Sequence, residues 1–480
     1  MSEINIPLVV DLDGTLTKSD TFVESLVSYI KENLLNIFNI LYWAYIGKAY
    51  LKSKIADKKI IPPKEIIYRK EVIDYINEQR LKKRKVFLCS GSNIKQVEAI
   101  HNHLKIFDGF YGSTINCNLI SKNKLDLIIK NFSPNKFDYI GDSKADIIIW
   151  NSSRIALTVD VEKKTLNKIS NENSNIIQIT KILNFKDRLK VFIKSIRAYQ
   201  WVKNSLVFLP IFLAQDFSLL IFSYAFLAFI SFSFVSSFTY LINDIFDINE
   251  DRHHKRKKNR PIAAGIMSIS LALKTSIVLL TMSILIGLLI LGSPFYQLLF
   301  IYVIVTSLYT IILKKILFFD LFILSFFYIL RILGGGFATN IEISNWLILF
   351  SFVFFLFLAS IKRLAEIINI TNDDIKRNYG RAYKEIHLYQ MKLLCILSAI
   401  SSIIFLINYF FSNKVLSLYH NPKYLLLICP IIIIWQIVLF KNTLKNQMSD
   451  DPIIYIFKDK ISWACFSIIA LIIISQMRIW

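Results

Sequence analysis

The chain has 480 residues, and its 54% hydrophobic content and mean hydropathy of +0.47 exclude an ordinary soluble protein of this length. Its formal net charge of +22 does not indicate nucleic-acid binding, because much of the basic charge lies in short loops between apolar runs. The five cysteines are scattered without a CxxC pair, which argues against a disulfide framework or a zinc site.

The composition changes along the chain and predicts two domains. Residues 1–183 have the composition of a soluble domain, residues 184–203 form an interfacial linker, and residues 204–480 consist mostly of apolar runs. We therefore expect an α/β domain followed by an all-α domain that crosses the membrane several times.

Three short apolar runs in the first domain have the character of buried parallel strands. Each is followed at once by carboxyl or hydroxyl side chains: Asp11 and Asp13 after residues 6–10, Ser90 after residues 86–89, and Asp142 and Asp146 after residues 137–140. Open α/β sheets place their chemistry at the carboxyl ends of the strands, so we expect these side chains to meet there.

The segments DLDGTL and GDSKAD, with a strand-terminal serine between them, resemble the motifs of the haloacid dehalogenase (HAD) phosphatase superfamily. The resemblance implies that Asp11 is a nucleophile that forms an aspartyl-phosphate and that Asp13 is the acid and base. It also implies that Ser90 holds the phosphoryl oxygens and that Lys124, or its neighbour Lys122, is the lysine of the third motif. The implied Mg²⁺ ligands are Asp11, Asp13, Asp142 and Asp146. A degenerate domain kept only for structure is the alternative.

Residues 23–80 have a helical pattern and are expected to form a cap on the first domain. The part from residue 34 to residue 51 is rich in Ile, Leu, Tyr and Trp at helical spacing. It either packs in the core of the cap or lies on the membrane surface and admits a lipid substrate.

The second domain is expected to contain about nine membrane spans. They lie near residues 204–215, 217–241, 270–292, 296–313, 316–337, 345–361, 389–411, 422–440 and 461–477. Basic residues concentrate in alternate loops, which predicts a multi-pass protein of the inner membrane with its N-terminal domain in the cytoplasm.

A cluster of acidic residues follows the second predicted span. Asn243, Asp247 and Asp251 are spaced i, i+4, i+8, so a helix places them on one face. Carboxylates this close repel one another unless a cation lies between them, and Mg²⁺ is the cation that oxygen ligands and substrate phosphates usually hold. Arg252 and Arg260 in the basic run that follows suit a diphosphate. A solvated charged loop is the alternative.

The segments NDIFDINED, RPIAAG, QWVKN and SIKRLAE resemble the UbiA superfamily of membrane prenyltransferases, and specifically its decaprenyl-phosphate phosphoribosyltransferase branch. The resemblance implies a second Mg²⁺, phosphoribosyl pyrophosphate (PRPP) and a polyprenyl phosphate as ligands. The implied metal ligands are Asn243, Asp244, Asp247 and Asp251, and the three aspartates are also catalytic. The other implied substrate-binding residues are Lys203, Asn204, Tyr240, Arg252, Lys257, Arg260, Lys314, Arg331, Lys362, Arg363 and Glu366.

The two resemblances together suggest a reaction sequence. A phosphoribosyl group transferred to the lipid would keep its 5-phosphate, and the HAD-like domain would remove that phosphate to give polyprenyl-phosphoryl ribose, a pentose donor for the cell envelope. The main rival is an aromatic prenyltransferase that uses a prenyl diphosphate in quinone or heme synthesis. A non-catalytic membrane anchor for the phosphatase is a second rival, and a homo-oligomer is left open.

Overall fold

The computed structural model describes residues 6–170, 173, 175–254, 256–311, 313, 316–372, 383–448, 455–456 and 458–477. The chain forms two compact units, one of Met1–Ala198 with Tyr240–Ile277 and one of Tyr199–Thr239 with Val278–Trp480. The first unit thus joins the soluble domain to residues 240–277, which contain the acidic cluster.

The first unit contains a parallel six-stranded sheet with strand order β3-β2-β1-β4-β5-β6. The strands are β1 (Leu8–Val10), β2 (Val86–Asn93), β3 (Gly109–Ser113), β4 (Asp138–Gly141), β5 (Ala156–Val159) and β6 (Ile176–Thr180). The strand order reverses direction between β1 and β4, and such a switch point opens a crevice at the carboxyl ends of the strands. The predicted α/β class is confirmed.

Helices cover both faces of the sheet, as the continuous apolar strands require. The first nine helices of the chain are α1 (Thr21–Glu32), α2 (Asn36–Ile46), α3 (Lys48–Lys58), α4 (Lys70–Leu81), α5 (Ile94–Leu104), α6 (Lys122–Phe132), α7 (Ile147–Asn151), α8 (Lys163–Ser170) and α9 (Phe185–Ser195), and those that pack against the sheet are α4 to α8. Leu8 and Val10 pack into one apolar cluster with residues of α4 and α5. Val9 packs into a second cluster with residues of α6, α7 and α8. This alternation follows from the two-residue period of a strand.

Helices α1, α2 and α3 follow β1 and lie in the predicted cap. The Asp20 carboxylate caps α1 by accepting a hydrogen bond from the backbone N–H of Val23 at 3.1 Å. Ile40 of α2 packs with Leu51 and Ile55 of α3 in a small cluster separate from the sheet. The cap therefore has an apolar core of its own.

The remaining helices are mostly long and apolar. They are α10 (Leu209–Ala214), α11 (Leu219–Phe246), α12 (Ile248–His253), α13 (Ile269–Ile286), α14 (Ser293–Ile311), α15 (Phe319–Thr339), α16 (Asn345–Asn372), α17 (Leu388–Phe410), α18 (Asn413–Leu418), α19 (Ile428–Leu444) and α20 (Lys460–Gln476). Among the described residues, seven helices are long and apolar enough to cross a membrane, and α20 is a shorter apolar helix. The chain is a multi-pass membrane protein.

The predicted count of nine spans is not confirmed. The segment expected to form the first span is a 3₁₀ helix, Ala198–Phe208, followed by the six-residue helix α10. Pro210 stands at the start of α10, where its missing N–H is tolerated, and Gln215 ends the helix in the left-handed conformation. The segment is therefore too short in its α-helical part to cross a bilayer.

Three consecutive glycines in α15 allow close packing inside the second unit. A Cβ on Gly334 would lie 2.3 Å from the Phe232 ring, and a Cβ on Gly335 would lie 2.1 Å from the carbonyl oxygen of Val207. Close helix contacts of this kind are common in membranes, where small residues let backbones approach.

We expect Asp138→Ala to destabilise the first unit. The Asp138 carboxylate is fully buried and pairs with two arginines, Arg84 and Arg154. The Nε and Nη2 atoms of Arg154 lie 2.9 Å and 2.7 Å from the carboxylate oxygens of Asp138. Its removal leaves uncompensated buried charge, which costs about 3–5 kcal/mol. Limited proteolysis of the purified chain should show faster cleavage within residues 1–198. Asp126→Ala, at an exposed position of α6, should behave like the unmodified chain, and equal cleavage of the two variants would contradict the prediction.

Candidate functional site

The carboxyl ends of β1 and β4 bring a lysine and two carboxylates together. Lys124 Nζ lies 2.7 Å from Asp11 Oδ1 and 3.8 Å from Asp146 Oδ1. It also donates a hydrogen bond to the Tyr139 hydroxyl at 2.6 Å, and that hydroxyl donates to Asp146 at 2.7 Å. Although burial acts to lower it, the carboxylates of Asp11 and Asp146 raise the pKa of Lys124, so the lysine is a permanent cation.

Asp13 is held in a different way, by hydroxyl and amide donors. Its Oδ1 accepts hydrogen bonds from the backbone N–H and the hydroxyl of Thr21, both at 2.7 Å. Its Oδ2 accepts from the hydroxyls of Ser92 at 2.5 Å and Ser90 at 3.4 Å. Thr21 is the first residue of α1, so the carboxylate of Asp13 lies at the N-terminus of a helix.

Asp11, Asp142 and Asp146 offer carboxylate oxygens that lie within 4.8 Å of one another, a group able to hold a metal ion. Burial raises the pKa of Asp11 to about 7 and that of Asp142 well above its ordinary value. A divalent cation would offset the free-energy cost of burying these carboxylates in their charged form, so the residues fit Mg²⁺. Asp13, which we also expected as a ligand, lies outside this cluster.

A cavity of about 440 Å³ opens over these carboxylates. Its walls include Asp11 and Asp13, Lys52 from α3, and Ser270 from the first turn of α13. Lys52 Nζ donates to the carbonyl of Gly91 at 2.5 Å and to Asn118 Oδ1 at 3.1 Å, and burial lowers the pKa of Lys52. Sequence reasoning missed Lys52 as a site residue, because nothing in its spacing distinguishes it from the other cap lysines.

The acidic cluster extends from the last turn of α11 into α12 and has the backbone hydrogen bonds that the helical spacing predicts. The backbone N–H of Asp247 donates to the carbonyl of Asn243 at 2.9 Å, and that of Asp251 donates to the carbonyl of Asp247 at 2.8 Å. Three oxygen-bearing side chains therefore follow one another at single-turn intervals. Their chemistry suits Mg²⁺.

Arginine side chains lie against the buried carboxylates of the cluster. Arg260 Nη1 lies 2.5 Å from Asp251 Oδ2 and 3.1 Å from Asp244 Oδ1. Arg197 also pairs with Asp244 and lies over the ring of Tyr240, with 5.0 Å between its guanidinium carbon and the ring centroid. Burial raises the pKa of Asp251, and Arg260 partly offsets that rise. In this structure, the guanidinium groups of Arg197 and Arg260 compensate for the negative charge of Asp244 and Asp251.

The side chain of Arg252 pairs with residues of the cap. Its Nη2 and Nη1 lie 2.5 Å and 2.9 Å from the two carboxylate oxygens of Glu24 in α1, and Nη1 donates to the carbonyl of Glu65 at 3.0 Å. Lys31, in the last turn of α1, lies 2.6 Å from Glu250 and 3.9 Å from Asp247. All these residues belong to the first unit. One cap helix therefore holds the acidic cluster at two points.

In the second unit, Arg331 has the buried partners that an arginine inside a membrane helix needs. Its Nε donates to Asn204 Oδ1 at 2.7 Å, its Nη2 donates to the Tyr302 hydroxyl at 3.0 Å, and its Nη1 donates to the carbonyl of Phe327 at 2.5 Å. Asn204 also donates to the Ser233 hydroxyl at 3.0 Å. Arg331 and Asn204, both expected to bind substrate, form one buried hydrogen-bond network.

Arg363 forms a second network in this unit. Its Nε donates to Asp320 Oδ2 at 2.8 Å, and its Nη1 lies 2.7 Å from Glu366 Oε2. The Tyr383 hydroxyl donates to the other oxygen of Asp320. With a 1% exposed side chain, Arg363 shapes the surrounding structure rather than presenting its charge to solvent. Lys203 lies in the 3₁₀ helix before α10, Lys362 in α16 and Lys257 on an exposed 3₁₀ turn, whereas Lys314 lies outside the described residues.

In a multi-pass membrane protein, an oxygen-rich helix face with arginines beside it has the chemistry that binding of a phosphorylated group requires. The sequence pattern of the UbiA prenyltransferase family matches residues 205–458, and the chain belongs to this family.

Three relatives extend the comparison. The uncharacterized protein y4nM of Sinorhizobium fredii is 31% identical over 470 residues, which cover 97% of this chain and 90% of that protein. The nodulation protein NoeC of Azorhizobium caulinodans is 27% identical over 285 residues, 58% of this chain and 91% of that protein. The decaprenyl-phosphate phosphoribosyltransferase of Corynebacterium glutamicum is 36% identical over 182 residues, 37% of this chain and 54% of that enzyme. That last match spans about half the length of the enzyme.

We expect Arg252→Met to loosen the cap from the acidic cluster. The Arg252 and Glu24 side chains are 7% and 2% exposed, so removing one partner leaves a buried charge at a cost of about 3–5 kcal/mol. Hydrogen–deuterium exchange of the purified chain should rise in α1 and α12. Lys258→Met, an exposed change of equal charge in the same loop, should leave exchange unaltered.

The double variant Glu24→Gln with Arg252→Met removes both charges and should recover part of the protection. Exchange in Arg252→Met equal to that in Lys258→Met would show that the ion pair does not hold the cap.

Proposed function

We propose that the chain transfers a 5-phosphoribosyl group from PRPP to a polyprenyl phosphate in the membrane, and that its N-terminal domain then removes the 5-phosphate. The observation that carries the first part is the helical face of Asn243, Asp247 and Asp251 with Arg260 beside it. The similarity of the chain to enzymes named decaprenyl-phosphate phosphoribosyltransferase also supports the proposed transfer reaction.

Asn243, Asp244, Asp247 and Asp251 would hold Mg²⁺, which when bound neutralises the diphosphate of PRPP as a leaving group. Arg260 binds phosphate oxygens in the same way as it binds the carboxylates of Asp244 and Asp251. A bound diphosphate thus exchanges one anionic partner of this guanidinium for another. Its side chain is 26% exposed, which leaves it accessible for that exchange.

The transfer step needs no base from the protein. An oxygen of the lipid phosphate is already anionic, and it attacks the anomeric carbon of the ribose as the bond to the diphosphate breaks. The new bond forms with inversion, and the diphosphate leaves with the bonding electron pair. Lys362 is the residue that we expect to bind the lipid phosphate, while Arg363 fixes Glu366 and Asp320.

For the N-terminal domain we propose phosphomonoester hydrolysis in the cavity over Asp11. Asp11 attacks the phosphorus while Lys124 neutralises the carboxylate and phosphoryl oxygens. Asp13 protonates the ester oxygen of the ribose as its bond to phosphorus breaks. It then takes a proton from the water that cleaves the aspartyl-phosphate and releases inorganic phosphate, and Thr21 and Ser92 hold its carboxylate in position. Asp11, Asp142 and Asp146 would hold a second Mg²⁺.

The position of the cavity supports a lipid-linked substrate for this hydrolysis. Ser270, which lines the cavity, belongs to the first turn of α13, a helix of membrane-spanning length and composition. The phosphatase cavity therefore opens beside the end of a membrane helix, where a polyprenyl-linked ribose phosphate would be presented. We propose that this end faces the cytoplasm, because the basic loops of the chain lie on the same side.

We expect Asp247→Ala to abolish formation of lipid-linked ribose, with a fall in rate of about 100-fold or more, because the variant loses a central oxygen of the helical face. The measurement is mass spectrometry of lipids after incubation of the purified chain with PRPP, a polyprenyl phosphate and Mg²⁺. Lys258→Ala, at an exposed position of the 3₁₀ turn that follows this segment, is the matched control and should retain product formation.

Normal yield from Asp247→Ala would remove the acidic cluster from the transferase site. If the unmodified chain makes no product from PRPP but joins a prenyl diphosphate to an aromatic acceptor, the chain is instead an aromatic prenyltransferase.

We expect Asp11→Asn to accumulate the lipid-linked ribose 5-phosphate. The variant lacks the nucleophilic oxygen, so hydrolysis should fall by about 1,000-fold or more while transfer continues. The ratio of phosphorylated to dephosphorylated lipid in the same mass spectra measures the effect. Asp126→Asn, at an exposed position of the same domain, should give the unmodified ratio. Dephosphorylated product at the normal rate from Asp11→Asn would refute the phosphatase assignment.

A further inference from the structure

Helix α2 of the cap exposes an unusually large apolar surface. Leu35, Phe38, Leu41, Tyr42 and Tyr45 have between 61% and 90% of their surface exposed. Leu35, Phe38, Tyr42 and Tyr45 follow the spacing i, i+3, i+7, i+10, which forms one stripe along the helix. We name these four residues, together with the neighbouring Leu41, the α2 stripe. Contiguous apolar patches on a protein surface usually mark an interaction site.

The opposite side of α2 already packs against the cap. Ile40 is buried with Leu51 and Ile55, and the Trp43 ring stacks on Tyr29 with 5.7 Å between the ring centroids. Because that side supplies the contacts that hold α2 on the cap, the stripe is not needed for the folding of the cap. A helix that is apolar on all sides is normally covered on all sides.

We infer that the α2 stripe lies in the surface of the lipid bilayer. The helix has 11 residues, a length of about 16 Å, which is far short of the roughly 30 Å needed to span the hydrocarbon region. Its composition matches an interfacial position, because residues 34–47 contain no charged side chain and include two tyrosines and a tryptophan.

The neighbouring elements place a membrane beside this helix. The first unit itself contains residues 240–246 at the end of α11 and residues 269–277 at the start of α13, both of them helices of membrane-spanning length. Lys31 lies three residues before the apolar segment begins. It pairs with Glu250 in α12, the short helix that follows α11. The α2 stripe thus starts next to a point at which the chain leaves the bilayer.

The charges at the ends of the helix agree with an anionic lipid surface. Lys48 is exposed at the residue after the apolar segment, and Lys58 is exposed at the far end of α3. A lysine beside an interfacial helix interacts favourably with acidic headgroups. The inference concerns the surface of the cap and holds independently of either proposed activity.

The test is depth-dependent fluorescence quenching in the full-length chain. Cys117 is the exposed cysteine, whereas Cys89, Cys395, Cys429 and Cys465 are buried, so Cys117→Ser provides a background for labelling. Tyr45→Cys in that background receives an environment-sensitive fluorophore, and the chain is reconstituted in vesicles of phosphatidylcholine and phosphatidylglycerol. Tyr45 is 90% exposed, so the substitution should not affect folding. Phe38→Cys provides a second reporter on the same stripe.

We expect blue-shifted emission and several-fold stronger quenching by lipids with a nitroxide near the headgroup than by lipids with one near the chain end. Leu81→Cys is the matched control, since Leu81 is an 86% exposed apolar residue at the end of α4 and should report water. Water-like emission at both Tyr45 and Phe38 would overturn the inference. Blue-shifted emission that depends on protein density but not on nitroxide lipids would overturn it in favour of contact between two copies of the chain.

Discussion

Burial of a carboxylate costs free energy unless a cation or several hydrogen-bond donors compensate for the lost water, and this constraint organises both units of the protein. In the N-terminal domain, Lys124 neutralises Asp11 and Asp146, while Asp13 accepts hydrogen bonds from Thr21 and Ser92. In the acidic cluster, Arg197 and Arg260 serve the same purpose for Asp244 and Asp251. In the second unit, Arg363 lies against Asp320 and Glu366. Residues of the chain itself therefore compensate for the charge of the buried carboxylates in both units.

The same constraint joins the cap to the acidic cluster. Helix α1 begins at Thr21, whose hydroxyl and amide hold the proposed acid and base Asp13, and its last turn contains Lys31, which pairs with Glu250. Between these ends, Glu24 forms the buried pair with Arg252. A single helix of 12 residues thus contacts the centre of one proposed active site and the acidic segment of the other.

Local sequence patterns predicted the parts of the protein that depend on local geometry. The strand-terminal Asp11 and Asp142 meet because parallel strands align their carboxyl ends, and Asn243, Asp247 and Asp251 follow helical turns because their spacing matches the helix period. Contacts between distant segments have no such period. The partner of Arg252 is 228 positions away in the cap, so the sequence around Arg252 indicated a phosphate ligand where the structure has an ion pair. The segment that contains the short helix α10 was predicted as a full membrane span for a related reason. Hydropathy reports the apolar composition of a segment and does not report where a helix ends.

The exposure of the arginines near the acidic cluster separates structural from ligand-binding roles. The side chain of Arg252 is 7% exposed and its partner Glu24 is 2% exposed, so a diphosphate could not reach this guanidinium without breaking the buried pair. Arg260 is 26% exposed, and the carboxylate of Asp247 is 33% exposed. A phosphate that approaches the cluster therefore meets Arg260 and Asp247 first. Since Arg260 already binds two carboxylates, exchange of one of them for a phosphate oxygen keeps the guanidinium paired throughout and avoids the cost of stripping water from an isolated ion. Arg252 and Arg260, which the sequence pattern grouped together, therefore differ in burial: Arg252 holds the cap on the acidic cluster, whereas Arg260 is partly exposed beside it.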